Sequence, residues 1–547
     1  MTTSDKKTKK GGKALNRPAG KARNSQQTDN RPAQAKTTTS KWKFSPTTAR
    51  RIAYGVGFAA LVFFLGAVYG DVLYRAEQES YVSTSPDTMH YVLSESWGSW
   101  RVLGRWALLP ARWPWLMALL LAALFTLQAW LTDRMLGLKA SLSGVGFIVP
   151  AAFMLWMLWR GTNLYYKNEP GFITLIPLLI TAVLLLLAAT AWVVRRVNAA
   201  PKIEEKPTLP FGALLAPALV TALTMGAWKT NENVILTARL QNLMWERDWE
   251  TMVEEARAAQ RPSRAVAAYH AIGLLQQGKL LDEVFDIAYD YPKLKLDSID
   301  GNEEYGIFNA DCNFHAGLLN PAYREAMDRV VMNGPRIVYF KRMAECALLN
   351  GETKLCEKYV KLLEDVPFES GFTERMRELM RQREKIQEDE TYQRVISMLP
   401  RDTAFEQNFR SPAFLGYNLG LNSGSDATLL TSAAACLYSK DLKSALPRLQ
   451  IMASKGMSLP SCLQQVIAIL KLTHPELAAE LPPMNSFVEN ELKAFLSDAK
   501  PYVKDRLALR RELKERWLGT YFYYYYCENN DPDQVIKRDN TEKAGVN

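Results

Sequence analysis

The chain has 547 residues, 67 Lys and Arg against 57 Asp and Glu, and a formal net charge of +10. The excess is local: residues 1–51 carry fourteen basic and two acidic side chains, which leaves the remainder at −2. A basic tail is not a folded basic surface, so the composition speaks against a nucleic-acid-binding domain, and no nucleic-acid partner is expected.

Residues 1–50 are rich in Lys, Thr, Gln, Asn, Ala and Gly, with almost no large apolar side chain before Trp42. Such a segment cannot bury enough surface to offset its ordering entropy, so a disordered tail is expected. Its charge orients the adjoining apolar segment, or meets anionic lipid headgroups.

At Arg51 the composition changes. "RIAYGVGFAALVFFLGAVYG" is uncharged between Arg51 and Asp71 and long enough to cross a bilayer. Four further apolar runs lie at roughly 115–131, 142–159, 172–194 and 209–228, with Trp and Tyr at their ends as an interfacial belt requires. A five-span domain over 51–229 is expected, held in the bilayer by lipid contact. Gly55-Val-Gly57 looks like the start of a dinucleotide loop, but it lies inside an apolar run with no strand before it. Pro150, Pro177 and Pro217 fall within spans, where proline is tolerated without marking a transport site. No span has an ionisable residue in its apolar interior, so nothing points to ion-coupled transport.

Lys and Arg in the short flanks set the orientation. The N-terminal tail, the loop with Arg134 and Lys139, and the loop with Arg195, Arg196, Lys202 and Lys206 are assigned to the cytoplasm. The first span is then a retained signal-anchor in the plasma (inner) membrane, and everything after Trp228 is extracytoplasmic. The external loop 75–112 carries four arginines, and "WGSWRVLGRWALLPARWPW" reads as an amphipathic interfacial helix placing Trp97, Trp100 and Trp106 at the headgroups.

Beyond Asn231 the apolar residues recur at helical spacing. A first helical block is expected over 230–394, a loop over 395–427, a second block over 428–527 and a disordered tail over 528–547. "VILTARLQNLMWERDWETMVEEARAA" reads as one amphipathic helix. Turns are expected at Gln277-Gly278, Asn320-Pro321, Asn350-Gly351 and Lys440-Asp441, each between an Ala-rich helix and a second amphipathic one. The charged run 372–394 reads as a solvated helix between the blocks. These hairpins resemble degenerate tetratricopeptide repeats, above all Ala344–Leu363 and Ala271–Ala288, which implies a protein-binding superhelix with one continuous core. The layout also resembles an uncharacterised group of Bacteroidota polytopic membrane proteins, through the five-span front, the hairpin "PRIVYFKRMAECALLNGETKLCEKYVKLL" and the Tyr-rich end. The expected class is all-α: a five-helix transmembrane module followed by an α-solenoid-like domain.

All six cysteines lie in the C-terminal half without zinc-ligand spacing, and the four histidines are scattered, so no metal and no cofactor is expected. Cys346 and Cys356 flank Gly351 symmetrically. They are a possible disulfide in an oxidising compartment, or two small core residues at a close-packed position. "WLGTYFYYYYC" ends the second block. Leu509, Leu513, Trp517 and Tyr521 fall at spacing four, and Tyr524 and Tyr525 continue the face, so the run reads as a helix closing the last groove.

Two functional classes fit these features. One is a non-enzymatic scaffold presenting the helical domain to envelope proteins. The other is an enzyme or carrier for envelope glycan or lipid, with Asp87, His90 and Glu95 of the external loop as candidate catalytic acid and base groups.

Overall fold

The computed structural model describes residues 43–197, 206–289, 305–399, 426–438 and 440–528. Regular structure among the described residues is helical, apart from one isolated bridge between Phe44 and Thr208. Five helices are long and apolar enough to cross a membrane: Pro46–Val68, Pro114–Leu136, Ala140–Arg160, Phe172–Val197 and Gly212–Thr230. The first starts earlier than the apolar run, because Pro46 occupies its first turn and Ser45 Oγ accepts the Thr48 amide at 3.2 Å. It closes in a single π turn over Phe64–Val68.

Small and polar residues lock the spans together. Gly57 leaves room for the Phe147 ring and for Ala216 against the first span, which is the physical use of a glycine that mimicked a nucleotide motif. Gln128, midway along the second span, donates to the Pro177 carbonyl at 2.9 Å and to Thr181 Oγ1 at 3.0 Å in the fourth. Pro150 sits in the first turn of helix Ile148–Arg160, whereas Pro177 and Pro217 lie inside their helices.

The chain after the first span, the turn after the third and the domain after the fifth all touch one another, so these three span ends lie on one side. On the other side Phe44 and Thr208 exchange backbone hydrogen bonds at 3.1 and 3.0 Å, and Arg195 donates to the Arg134 and Met135 carbonyls at 2.8 Å each. An odd number of spans separates the two sets.

The C-terminal domain is a succession of short helices packed pairwise. The turn expected at Gln277-Gly278 is present, with Gly278 left-handed, and so is the one at Asn350-Gly351. At the third, Lys440 is left-handed and Asp441 caps the next helix. Three expectations are corrected. The single helix over 234–259 is broken into Glu232–Glu246 and Trp249–Ala258, because Arg247 adopts φ 65 and Asp248 caps the second helix. The turn at Asn320-Pro321 lies earlier, at Gly317, and Pro321 belongs to the first turn of helix Leu319–Asn333, where a missing N–H costs nothing. The charged run 372–394 is three helices rather than one solvated rod, and it buries Met376, Leu379, Ile386 and Tyr392.

The buried apolar residues fall into three cores. The first fills the five-span module and takes in Ala238 and Ile307. The second joins Tyr81, Met89 and Val92 of the external loop to residues of 314–395. The third unites helices of 240–289 with helices of 429–527. Helices of the first block contribute to more than one of these cores, while each still packs on its neighbour in sequence, as Trp249–Ala258 does on Arg264–Gln277 and Ile337–Leu349 on Thr353–Glu364. The loop expected over 395–427 falls largely outside the described residues, as do nearly all of the N-terminal tail and all but Glu528 of the C-terminal tail.

Candidate functional site

The segment "YRAEQESYV", Tyr74–Val82, has the charge of a surface loop, yet it runs through the interior. Arg75, Glu77 and Glu79 are 3 %, 2 % and 1 % exposed. Burial on this scale requires partners, since an unpaired ion is driven neutral or expelled. The partners come from every neighbouring element. Arg75 bonds Glu79 at 2.8 Å. Arg336 donates to the carbonyls of Glu79 at 3.0 Å, Asn168 at 3.2 Å and Tyr165, and its guanidinium lies 3.6 Å from the Glu79 carboxylate. The Ile337 amide donates to the Ser80 carbonyl at 3.0 Å, and Tyr81 Oη to the Leu362 carbonyl at 2.8 Å.

The amphipathic helix Gly98–Leu108 is tied down in the same way. Arg105 grips Glu169 through two parallel bonds of 2.7 Å, just before the fourth span, and reaches the Tyr81 carbonyl at 3.2 Å. Arg105 holds the Glu169 carboxyl below the usual range, although burial acts the other way. Gly104 packs backbone to backbone against Gly171, and Thr174 Oγ1 donates to the Gly104 carbonyl at 2.6 Å. Trp97, Trp100 and Trp106 remain exposed, with Tyr91 and Leu93 beside them.

A third set surrounds a pocket of about 200 Å³ where the chain after the first span meets helices Glu232–Glu246, Ile337–Leu349 and Ser370–Arg381. Its wall contains Arg112, Arg247, Lys341, Arg342 and Arg375 but only two carboxylates, Glu246 and Glu345. Glu369 accepts from Lys341 at 2.5 Å and from Arg112 at 3.2 Å. Asp311 accepts from Arg342 at 2.7 Å and from Tyr269 at 2.9 Å. Asp389 accepts from Arg247 at 3.3 Å and from Arg375. Burial pushes Glu77 up to about 7, and it holds Lys341 below its ordinary value despite Glu369. His315 is kept neutral by burial and by Arg342 and Arg247. Trp245 lies under two cations, with Arg342 at 4.7 Å and Lys341 at 5.8 Å from its ring. Two donors at this wall, Trp245 Nε1 and Arg342 Nε, are buried and have no acceptor.

Asp87 and His90 are exposed on helix Pro86–Ser94, and Glu95 comes directly after it, paired with Arg101. None of the three lines the junction pocket. Cys346 and Cys356 are buried free thiols, and burial pushes Cys356 up to about 12, which removes the thiolate needed for exchange. At the Tyr-rich end, Gly519 (φ 94) separates helix Arg506–Trp517 from helix Tyr521–Cys527. Trp517, Tyr521 and Tyr524 are buried and Tyr525 half-buried. The hydroxyl of Tyr521 donates to the Leu437 carbonyl at 3.1 Å and that of Tyr524 to the Tyr438 carbonyl, while the rings pack on Phe285. No group of three or more His, Cys, Asp or Glu side chains able to hold a metal occurs among the described residues.

Sequence reasoning missed the whole junction. The available signal was charge inside apolar runs: Arg75, Glu77 and Glu79 in "VLYRAEQESYV", and Lys341, Arg342 and Glu345 in "IVYFKRMAECALL".

Fold and junction together define a multi-pass helical membrane protein whose extramembrane domain is fastened to its spans by buried ion pairs. The profile of a family of unknown function, DUF6057, matches residues 45–228 and 162–528, and the chain belongs to that family. Comparisons with curated proteins and with solved structures give no match.

Proposed function

We propose that the protein is a membrane-anchored scaffold that holds a helical, tetratricopeptide-like domain on the extracytoplasmic face of the plasma membrane and presents it to envelope proteins. The observation that carries this reading is the rigid mount. Arg336–Glu79 and Arg112–Glu369 fix the domain to the chain at the ends of the first and second spans, Arg336 also holds the Tyr165 and Asn168 carbonyls after the third, and Arg105–Glu169 pins the loop helix beside them. A domain that merely needed tethering would require one linker, whereas a platform needs a defined pose. The basic flanks of the opposite face favour a cytoplasmic N-terminus. The paired helices around Gly351 and Gly278 favour recognition of a protein segment by helix surfaces.

The test is in-cell photocrosslinking from exposed positions of the domain, such as Val331, Leu472 and Leu507, combined with reporter fusions after Asn231 and at Asn547. Defined envelope-protein adducts and an external reporter signal support the reading. A cytoplasmic reporter signal, or absence of adducts from every position, refutes it.

A further inference from the structure

We propose that the junction pocket is a binding site for a phosphate group, carried by a small polar molecule or by a lipid headgroup, which the wall of guanidinium, ammonium and indole donors receives. This goes beyond the scaffold reading and does not depend on it.

Five basic and two acidic side chains form the wall, while Glu369, Asp311 and Asp389, which compensate the basic ones, stand behind it. The interior is neutralised, yet the face turned to the pocket is cationic. Arginine predominates in it, and the guanidinium fork suits the oxygens of a phosphate. The second observation is independent of charge. Trp245 Nε1 and Arg342 Nε are buried donors without acceptors, an arrangement costly in an empty site and satisfied by an anion that only accepts. Third, the pocket is partly aromatic, with Tyr74, Phe314 and Phe372 beside the indole. Such rings exclude water, so charge-assisted bonds inside count for more than on an open surface. A volume of about 200 Å³ accommodates a phosphate with a short polyol, and it is too small for a nucleotide or a folded peptide.

The position fits either source. Arg112 directly precedes the second span and Tyr74 closely succeeds the first, so the pocket opens where the chain leaves the spans. Lys341 and Arg112 share Glu369, and Arg112 also lies 3.8 Å from the Glu77 carboxylate, so the two cations stand side by side at the mouth of the spans.

The experiment uses the full chain purified in uncharged detergent. Inorganic phosphate and glycerol 3-phosphate are titrated by calorimetry at constant ionic strength, with chloride and acetate as controls. Phosphatidylglycerol and diacylglycerol are compared by native mass spectrometry. Saturable binding of either phosphate, or retention of phosphatidylglycerol over diacylglycerol, supports the proposal, and the arm that responds identifies the source. Trp245→Phe keeps an aromatic face but removes the indole N–H, and Arg375→Gln leaves Arg247 on Asp389; each is expected to weaken binding about tenfold while the chain still melts cooperatively. The proposal is overturned if no phosphate species binds above the chloride control, if acetate binds as well as phosphate, or if both variants bind normally.

Discussion

Replacing Arg336 with Ala should loosen the helical domain from the membrane module without unfolding either. Arg336 is 2 % exposed and supplies hydrogen bonds to three backbone carbonyls, those of Glu79, Tyr165 and Asn168, while lying 3.6 Å from the Glu79 carboxylate. Deleting one member of a buried ion pair costs about 3–5 kcal/mol. Arg75 still faces Glu79 at 2.8 Å, which lowers that figure, whereas the three carbonyls stripped of their donor offset the reduction. The expected loss is therefore about 3–5 kcal/mol. With an unfolding entropy near 2.1 cal/mol/K per residue, about 1 kcal/mol shifts the midpoint of a unit this large by roughly 1 °C, so Tm should fall by about 3–5 °C. The assay is thermal unfolding in detergent monitored by tryptophan fluorescence, with limited proteolysis beside it. The sharper signature is new cleavage within residues 74–84, which Arg336 now seals. Arg336→Lys keeps the charge but not the fork and should fall between the two. The reasoning is refuted if Arg336→Ala melts within about 1 °C of the parent with the same fragments.

Three further outcomes are expected from the same contacts and from the buried core. The folded Glu77 carboxyl titrates near 7, above its value in the unfolded chain, so its contribution to stability is lost as pH rises from about 4.5 through 7; Glu77→Gln should be more stable than the parent by about 3 kcal/mol at pH 8, with the gap closing by pH 5 in chemical denaturation. His270 behaves in the opposite sense: it is fully buried, neither ring nitrogen has a partner, and burial and Arg257 push it down to about 3, so the fold loses stability as pH falls below 6.5. His270→Leu should match the parent at pH 7.5 and exceed it by about 2 kcal/mol at pH 5. At Gly104 an added Cβ would sit 2.6 Å from the Gly171 carbonyl oxygen, so Gly104→Ala should cost about 1–3 kcal/mol and raise proteolysis around Arg105, read by melting and fragment mapping.

The spans, their number and most helical turns were legible in the sequence because each depends on a local quantity. A run of apolar residues must leave water whatever surrounds it, and Gly278 and Gly351 stop helices by their own backbone freedom. Local rules also misplaced boundaries where a neighbour decided. Arg247 bends into the left-handed region where its guanidinium reaches Asp389, and the charged run 372–394 buries its apolar stripe against Ile337–Leu349, Thr353–Glu364 and Tyr305–His315. Of the candidate groups, Asp87, His90 and Glu95 were chosen by type and spacing within one loop, and the tertiary structure leaves them away from the pocket.

By itself the sequence determined that this protein is helical, carries five segments able to cross a membrane and continues into a domain of short paired helices, since hydropathy and helical periodicity act over neighbouring residues. Only the tertiary structure decided that Arg75, Glu77, Arg112, Arg336, Lys341 and Glu369 meet in the interior of the junction. A charged side chain is as soluble on a loop as it is stable beside a partner, and its partner here lies up to 257 residues away. Nothing local distinguishes the two fates. The junction and its cationic pocket exist because three span ends and one helical domain converge, and that convergence is a property of the packed chain.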